Sequence, residues 1–168
     1  GKTTLARLLA NQVELHFVQI SAVYSGVADL RKVFSAGRER YIRGQGTLLF
    51  VDEIHRFNRS QQDGFLPYVE DGTITLIGAT TEHPSFELNA SLLSRCQVLV
   101  LKRLGEDALD ELLRKAEIEY GRELPVQPEA RKVLLSMADG DGRFVLNLAE
   151  ELLTLKKNIV PLDVAALS

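Results

Sequence analysis

Residues 47–52 restrict the possible folds of this chain more than any other stretch. They read Thr-Leu-Leu-Phe-Val-Asp, an apolar run that ends in an acidic residue. Such a near-continuous run is typical of a parallel strand that is buried on both faces. Runs of the same kind at 74–79 and 97–101, and a shorter one at 16–20, predict further strands of the same sheet.

Apolar residues at helical spacing alternate with these strands. They predict helices directly after residues 1–4, over 27–43 and after Asn58 or Ser60. Beyond residue 103 the strand patterns stop and three apolar helical faces follow: Leu109, Leu112, Leu113 and Ala116; Ala130, Val133, Leu134 and Met137; and Val145, Leu148, Ala149 and Leu152. We therefore predict an α/β domain over residues 1–103 and a small helical lid domain over residues 104–168.

The composition excludes several other classes of protein. Hydrophobic residues make up 45% of the 168 residues and the net charge is −3, which argues against a disordered tail, a collagen or a histone-like polycation. No apolar run approaches the ~18–20 residues of a membrane helix, so no membrane association is expected. The single cysteine, Cys96, cannot form an intrachain disulfide, which fits a reducing, cytoplasmic setting.

The chain opens with Gly1-Lys2-Thr3-Thr4, directly before a predicted helix. The first three residues match the end of the phosphate loop G-x-x-x-x-G-K-S/T, in which glycine lets the backbone approach phosphates and the helix N-terminus offers N–H groups. Lys2 would then reach the β- and γ-phosphates, and the Thr3 hydroxyl would bind Mg²⁺. A chance match or a cloning remnant is the alternative. Because the motif is entered midway, we expect the natural protein to extend upstream of Gly1.

Carboxylates and hydroxyls follow two of the predicted strands. Asp52 and Glu53 end the 47–52 run, and Thr80 and Thr81 end the next one. Ligands of open α/β sheets bind at the carboxyl ends of the strands. Asp52 would hold the Mg²⁺ shell and Glu53 would polarise water, while a threonine hydroxyl would orient that water and sense the γ-phosphate. The alternatives are a turn with two solvated acids and an ordinary strand-exit turn.

Two arginines complete the set of candidate residues. Arg95 lies in Leu-Ser-Arg-Cys before the 97–101 run, and Arg143 follows Gly-Asp-Gly at the start of the last amphipathic helix. A guanidinium is always charged and donates several hydrogen bonds, so it suits phosphate charge in a transition state. For Arg95 the alternative is a surface ion pair. For Arg143 it is a capping turn followed by a solvated arginine.

In their order along the chain, these pieces resemble an AAA+ ATPase over nearly the whole length. Within that superfamily, residues 51–58 (Val-Asp-Glu-Ile-His-Arg-Phe-Asn), 61–63 (Gln-Gln-Asp), 76–82 (Leu-Ile-Gly-Ala-Thr-Thr-Glu) and 84–87 (Pro-Ser-Phe-Glu) closely resemble one branch. That branch is the replication-associated recombination protein A family, also called MgsA, with the eukaryotic Werner-helicase-interacting protein. The resemblance implies a P-loop NTPase parallel sheet, here without its first strand, followed by the helical lid.

The resemblance also implies a role for each candidate residue. The nucleotide-binding residues are Gly1, Lys2, Thr3, Thr4, Asp52 and Arg143, with Thr3 and Asp52 on Mg²⁺ and Arg143 as sensor 2. The catalytic residues are Glu53 as base, Thr81 as sensor 1, and Arg95 as an arginine finger that acts on the ATP of a neighbouring subunit. The implied cofactors are ATP and Mg²⁺.

Members of this family are DNA-dependent ATPases linked to stalled replication forks, and they assemble as oligomers, typically tetramers. The resemblance therefore implies DNA junctions or forks, single-strand binding protein and further copies of the chain as partners, in the cytoplasm at the nucleoid. His83 stands where the family usually shows asparagine, and Phe144 where a smaller or basic residue is common. The upstream half of the phosphate loop, the strand before it, the adenine-contacting segment and a downstream oligomerisation region are expected outside this sequence.

We therefore predict an ATPase that couples hydrolysis to DNA transactions at stalled forks, in replication-associated recombination and repair. One alternative is a non-hydrolysing assembly subunit of the clamp-loader type, against which the intact set of Lys2, Asp52, Glu53 and Arg95 argues. Another is a small-molecule P-loop kinase, which needs an acceptor pocket and usually lacks a glutamate directly after the Mg²⁺ aspartate.

Overall fold

Three parallel strands in the order β1-β2-β3 form the central sheet of the N-terminal part. The strands are β1 His16–Ser21, β2 Thr47–Asp52 and β3 Ile74–Gly78. The middle strand β2 is buried from Thr47 to Val51, as its continuous apolar sequence predicts. The structure, a computed structural model, describes residues 1–155 and 160–167 of the chain.

Helices cover both faces of this sheet. They are α1 Lys2–Gln12, α2 Val27–Ile42, α3 Arg59–Asp63, α4 Leu66–Glu70, α5 Pro84–Glu87 and α6 Ala90–Leu93, with a 3₁₀ turn at Ile54–Arg56. Because side chains alternate along a strand, Leu48 and Phe50 of β2 pack on α1, whereas Leu49 and Val51 pack on the side of α2. This two-sided burial confirms the predicted α/β architecture.

The predicted strand at residues 97–101 is wrong. These residues have no regular secondary structure, and their side chains are exposed, with Leu99 at 74% and Val100 at 82%. An apolar run becomes a strand only when a neighbouring strand takes its N–H and C=O groups. Neither of the two strand pairings in the described part of the chain includes this segment.

The expectation that residues 74–79 form a fully buried strand is also wrong in part. Ile74 is buried, but Thr75 and Gly78 are exposed and Leu76 and Ile77 are half-buried. The reason is the position of β3, which pairs only with β2 and so lies at an edge of the described sheet.

Three helices form most of the second unit: α7 Glu106–Tyr120, α8 Pro128–Ala138 and α9 Gly142–Thr154, with a 3₁₀ turn at Ala165–Leu167. Their shared core contains Leu109, Leu113, Leu135, Val145 and Ala149. The helical faces predicted from the sequence are confirmed except at Met137, which is 49% exposed, because the buried face of α8 runs through Leu134, Leu135 and Ala138 instead.

The chain separates into two compact units, Gly1–Leu99 and Val100–Ser168. The domain boundary expected after residue 103 stays a prediction. The predicted helical domain includes residues 156–159 and 168, which lie outside the described residues. Among the helices that the structure describes, none has the length and apolar character that a membrane span requires.

Candidate active site

The backbone turns sharply where β2 ends. Glu53 has a φ of 51° and a ψ of 46°, in the left-handed region that costs a non-glycine residue roughly 1–2 kcal/mol. The next residue, Ile54, is 2% exposed and donates its backbone N–H to the carbonyl of Ala79 at 3.0 Å. This turn therefore fixes Glu53 and the following 3₁₀ turn beside the loop that leaves β3.

Four side chains meet at this edge of the sheet. Thr81 Oγ1 donates to Glu53 Oε2 at 3.2 Å, and His55 Nδ1 lies 3.3 Å from the same oxygen. His55 Nδ1 is also 2.9 Å from Thr80 Oγ1. Lys2 Nζ donates to the backbone carbonyl of Thr80 in the same loop, at 3.0 Å. The structure thus brings Lys2, Glu53 and Thr81 to one loop, although they are far apart in the sequence.

The N-terminus of α1 has the features of an anion site. Gly1 is its N-cap residue, no described side chain caps it, and its first turn carries no acidic residue. The first N–H groups of a helix have no intrahelical partner and carry positive partial charge. Together with the Lys2 ammonium they fit a phosphate group.

The remaining phosphate-loop and metal candidates lie at the same two element ends. Thr3 is half-buried and Thr4 is exposed in the first turn of α1. Asp52 is half-buried at the last position of β2, where it pairs with Ser21 of β1. The described residues contain no group of three or more metal-ligating side chains. Mg²⁺, however, takes only one or two protein oxygens beside water and phosphate, so the Thr3 hydroxyl and the Asp52 carboxylate fit it.

Arg95 makes its contacts elsewhere in the first unit. Its guanidinium lies 2.5 Å from Glu70 Oε1 and donates to the Ser91 carbonyl at 2.8 Å. Both side chains of this pair are exposed, at 40% and 49%. The surface ion pair that the sequence left open as the alternative is therefore present, and the role of Arg95 on a nucleotide stays a prediction.

Arg143 lies in the first turn of α9 in the second unit. The Asp141 carboxylate caps this helix by accepting from the backbone N–H groups of Arg143 and Phe144, at 2.8 and 3.2 Å. Both bonds lower the pKa of the Asp141 carboxyl, and the bond from Phe144 has the larger effect. The capping turn that was the alternative is thus also present, and the sensor role of Arg143 stays a prediction.

His55 is a residue of the site that the sequence patterns above do not identify. Its side chain is only 7% exposed and contacts both Glu53 and Thr80. Arg56 beside it is exposed. The sequence offers one indication of this contact, a histidine two residues after Glu53. That spacing brings the two side chains together only because the backbone at Glu53 is left-handed.

Comparisons with known proteins show which family this chain resembles. The AAA family, described as the ATPase family associated with various cellular activities, matches residues 1–104. Replication-associated recombination protein A is 46% identical in Escherichia coli and 52% identical in Coxiella burnetii, each over 155 residues that make up 89% of this chain and 35% of the relative. ATPase WRNIP1 of Dictyostelium discoideum is 44% identical over 154 residues, 89% of this chain and 18% of that protein.

The chain thus spans about a third, or less, of the length of these relatives. A solved structure of a RuvB variant from Thermotoga maritima superimposes with a TM-score of 0.73 at 23% identity, covering 99% of this chain and 55% of that chain. This similarity confirms the fold, a parallel sheet with helices of the AAA+ type. From the family match over residues 1–104, the chain belongs to the AAA family of ATPases, and it is similar over most of its length to replication-associated recombination protein A and WRNIP1.

Proposed function

We propose that this chain is the ATP-hydrolysing core of an enzyme that acts on DNA at stalled replication forks, in recombination and repair. One observation carries the proposal: Lys2 and Glu53 form hydrogen bonds to adjacent residues of one loop. Lys2 donates to the Thr80 carbonyl, and Glu53 accepts from the Thr81 hydroxyl. A cation for phosphate and a carboxylate for water are the two groups that phosphoryl transfer to water needs at one place.

The chemistry follows from these positions. The N-terminus of α1 and Lys2 hold the β- and γ-phosphates, and Glu53 accepts the proton of a water that attacks the γ-phosphorus in line with the leaving oxygen. Thr81 orients the carboxylate and that water. Thr3 and Asp52 would hold Mg²⁺, which when bound neutralises charge on the phosphate oxygens. Charge stabilisation and positioning supply most of the catalysis in such a site.

The DNA part of the proposal comes from the names of the relatives, which link them to replication and recombination. With a net charge of −3, the chain as a whole does not attract DNA, so DNA binding requires local basic patches or regions outside this sequence. Two arginines near the C-terminal end of α2 have partners within the chain: Arg38 pairs with Asp71, and Arg40 donates to Thr47. We propose homo-oligomers, tetramers in the full-length protein, and single-strand binding protein as further partners.

The test measures phosphate release by the full-length protein that contains this chain, with no DNA, with linear duplex and with forked DNA. We expect hydrolysis that forked DNA stimulates more than linear duplex. Glu53→Gln should lower kcat by about 10²- to 10⁴-fold, the usual contribution of a general base, while ATP affinity is retained. Glu39→Gln is the matched control, because Glu39 is an exposed residue of α2, and its kcat should equal that of the wild type.

Each part of the proposal has its own contrary result. ATP binding without turnover in the wild type would favour the non-hydrolysing assembly subunit. Phosphate transfer to an acceptor other than water would favour a kinase. Equal rates with and without DNA would reject the coupling to DNA, and full activity of Glu53→Gln would reject Glu53 as the base.

A further inference from the structure

The His55 side chain is buried in a place where its neighbours leave it little freedom. Ile54 begins the 3₁₀ turn that carries His55, and Phe57 directly follows that turn; each is 2% exposed and belongs to the core cluster on the α2 side of the sheet. The imidazole itself is 7% exposed. Burying a polar ring costs free energy unless the ring forms hydrogen bonds. The two contacts of Nδ1 therefore explain how a histidine can be buried here.

Those contacts fix the position of the proton on the ring. Nδ1 lies 3.3 Å from Glu53 Oε2 and 2.9 Å from Thr80 Oγ1. An ionised carboxylate only accepts hydrogen bonds, so an unprotonated Nδ1 would set two lone pairs against each other. We therefore assign the proton to Nδ1, which donates mainly to Thr80 Oγ1, the nearer oxygen, and more weakly towards Glu53 Oε2. The Thr80 hydroxyl oxygen also accepts the backbone N–H of Glu82 at 3.0 Å.

The two oxygens of the Glu53 carboxylate are held differently. Oε2 is contacted by both His55 Nδ1 and Thr81 Oγ1, whereas no described residue donates to Oε1. The side chain is 29% exposed, so Oε1 is within reach of solvent. One oxygen therefore has two side-chain contacts, and the other is open to water.

We propose that His55 is a positioning residue for Glu53: its Nδ1–H holds Oε2 and so aims Oε1 at the attacking water. This inference rests on the proposed ATP hydrolysis. The left-handed backbone at Glu53 makes such support necessary, because a carboxylate on a strained turn has no regular helix or strand to fix it.

The same histidine also joins the carboxylate to the phosphate side of the site. Its second contact is Thr80, whose carbonyl accepts the hydrogen bond from Lys2 Nζ. His55 thus ties the turn after β2 to the loop after β3, and both Glu53 and the phosphate-binding Lys2 form hydrogen bonds to that loop. A displacement of about 1 Å in such an arrangement can reduce turnover by about 10²-fold.

The experiment compares variants of the full-length protein in phosphate release and ATP affinity. His55→Ala removes the donor, and we expect kcat to fall by up to about 100-fold with the Kd for ATP within about twofold of the wild type. His55→Asn places an amide N–H near the position of Nδ1. Its kcat should therefore be clearly higher than that of His55→Ala, reaching at least about a tenth of the wild-type value. His16→Ala is the matched control, since His16 is exposed at the opposite end of the sheet, and its kcat should not change.

A kcat of His55→Ala equal to that of the wild type would overturn the inference. So would a loss that His55→Asn does not recover, since that pattern means packing rather than hydrogen bonding. If His55→Ala fails to fold, ¹⁵N-histidine spectra of the wild type and Glu53→Gln decide. A protonated Nδ1 whose ring signals shift in Glu53→Gln, with His16 unchanged, supports the contact, and unshifted His55 signals reject it.

The two proposals fail in different ways. A wild-type protein that releases no phosphate refutes ATP hydrolysis, while the histidine spectra still report whether Nδ1 donates to Glu53. A wild-type protein that hydrolyses ATP at an unchanged rate without His55 refutes only the positioning role.

Discussion

At the scale of single residues, the catalytic turn depends on a close approach that only glycine allows. A Cβ built on Gly78, at the end of β3, would lie 2.9 Å from Ile54 Cδ1 and 3.0 Å from Ile54 Cγ2. Ile54 is fully packed and begins the turn that carries His55. The end of β3 and the turn after β2 therefore lie very close together beside Glu53. Because Gly78 has no side chain, Ile54 has room to pack there.

We expect Gly78→Ala to destabilise the protein by about 1–3 kcal/mol, the usual cost of overpacking a core, and to move the turn that holds Glu53. Urea unfolding measures the first effect and kcat the second. Gly37→Ala is the control: a Cβ there makes ordinary contacts of 3.5–3.8 Å in the middle of α2, so it should be neutral or stabilise by up to about 1 kcal/mol. Equal stability of the two variants would contradict the packing argument.

The meeting of Lys2, Glu53 and Thr81 at one loop was predictable at this scale from residue type and strand position, and the roles of these residues stay predictions. A carboxylate pair after a buried strand and a lysine in the first turn of a helix indicate the same edge of a parallel sheet, whatever the details of the turns. His55 was not predictable in that way. It follows a residue with positive φ, Glu53, and an L-residue in the left-handed region leaves no clear mark in the sequence.

At the scale of elements, the N-terminus of α9 should make the second unit sensitive to acid. The pKa of Asp141 is lower in the folded chain than in the unfolded one, because its carboxylate accepts the N–H groups of Phe144 and Arg143. A lowered folded pKa means that this contribution is complete above the unfolded value of about 4 and is lost as the pH falls through the folded pKa.

We expect Asp141→Asn, which keeps a capping oxygen but cannot titrate, to show a weaker loss of stability below about pH 4 than the wild type. The measurement is the midpoint of urea unfolding at a series of acid pH values, with unfolding monitored by a spectroscopic probe in α9. Asp107→Asn is the control, because Asp107 lies in the first turn of α7 rather than at a cap. Identical acid profiles of wild type and Asp141→Asn would mean that the cap contributes nothing.

Elements were predictable where local pattern and local packing agree. The 3.6-residue faces of α7 and α9 and the apolar run of β2 fall in this class. Residues 97–101 do not, since a strand is made by its partner as much as by its own sequence. The segment after Asn58 divides into α3 and α4 because Gly64 ends the first helix and Pro67 lies in the first turn of the second.

At the scale of the whole molecule, Arg95 is the residue whose predicted role reaches beyond one chain. Within the chain it pairs with Glu70 on the surface. An exposed pair of this kind is worth about 0–1 kcal/mol, so exchanging Glu70 for the phosphate of a neighbouring subunit costs little. A finger arginine is worth about 10³- to 10⁵-fold in rate. We therefore expect Arg95→Ala to abolish most hydrolysis in the full-length oligomer and to leave ATP affinity nearly unchanged.

Mixing variants shows whether Arg95 acts across a subunit interface. Lys2→Ala subunits lose their own ATP site but keep Arg95, and Arg95→Ala subunits keep Lys2. If the arginine acts on a neighbour, each variant alone is inactive, but mixed oligomers contain interfaces with one intact residue from each subunit and regain part of the activity. If Arg95 acts within its own chain, no mixture contains a complete site and hydrolysis stays absent. Tight ATP binding with undiminished turnover in Arg95→Ala alone would show that Arg95 serves only its surface pair with Glu70.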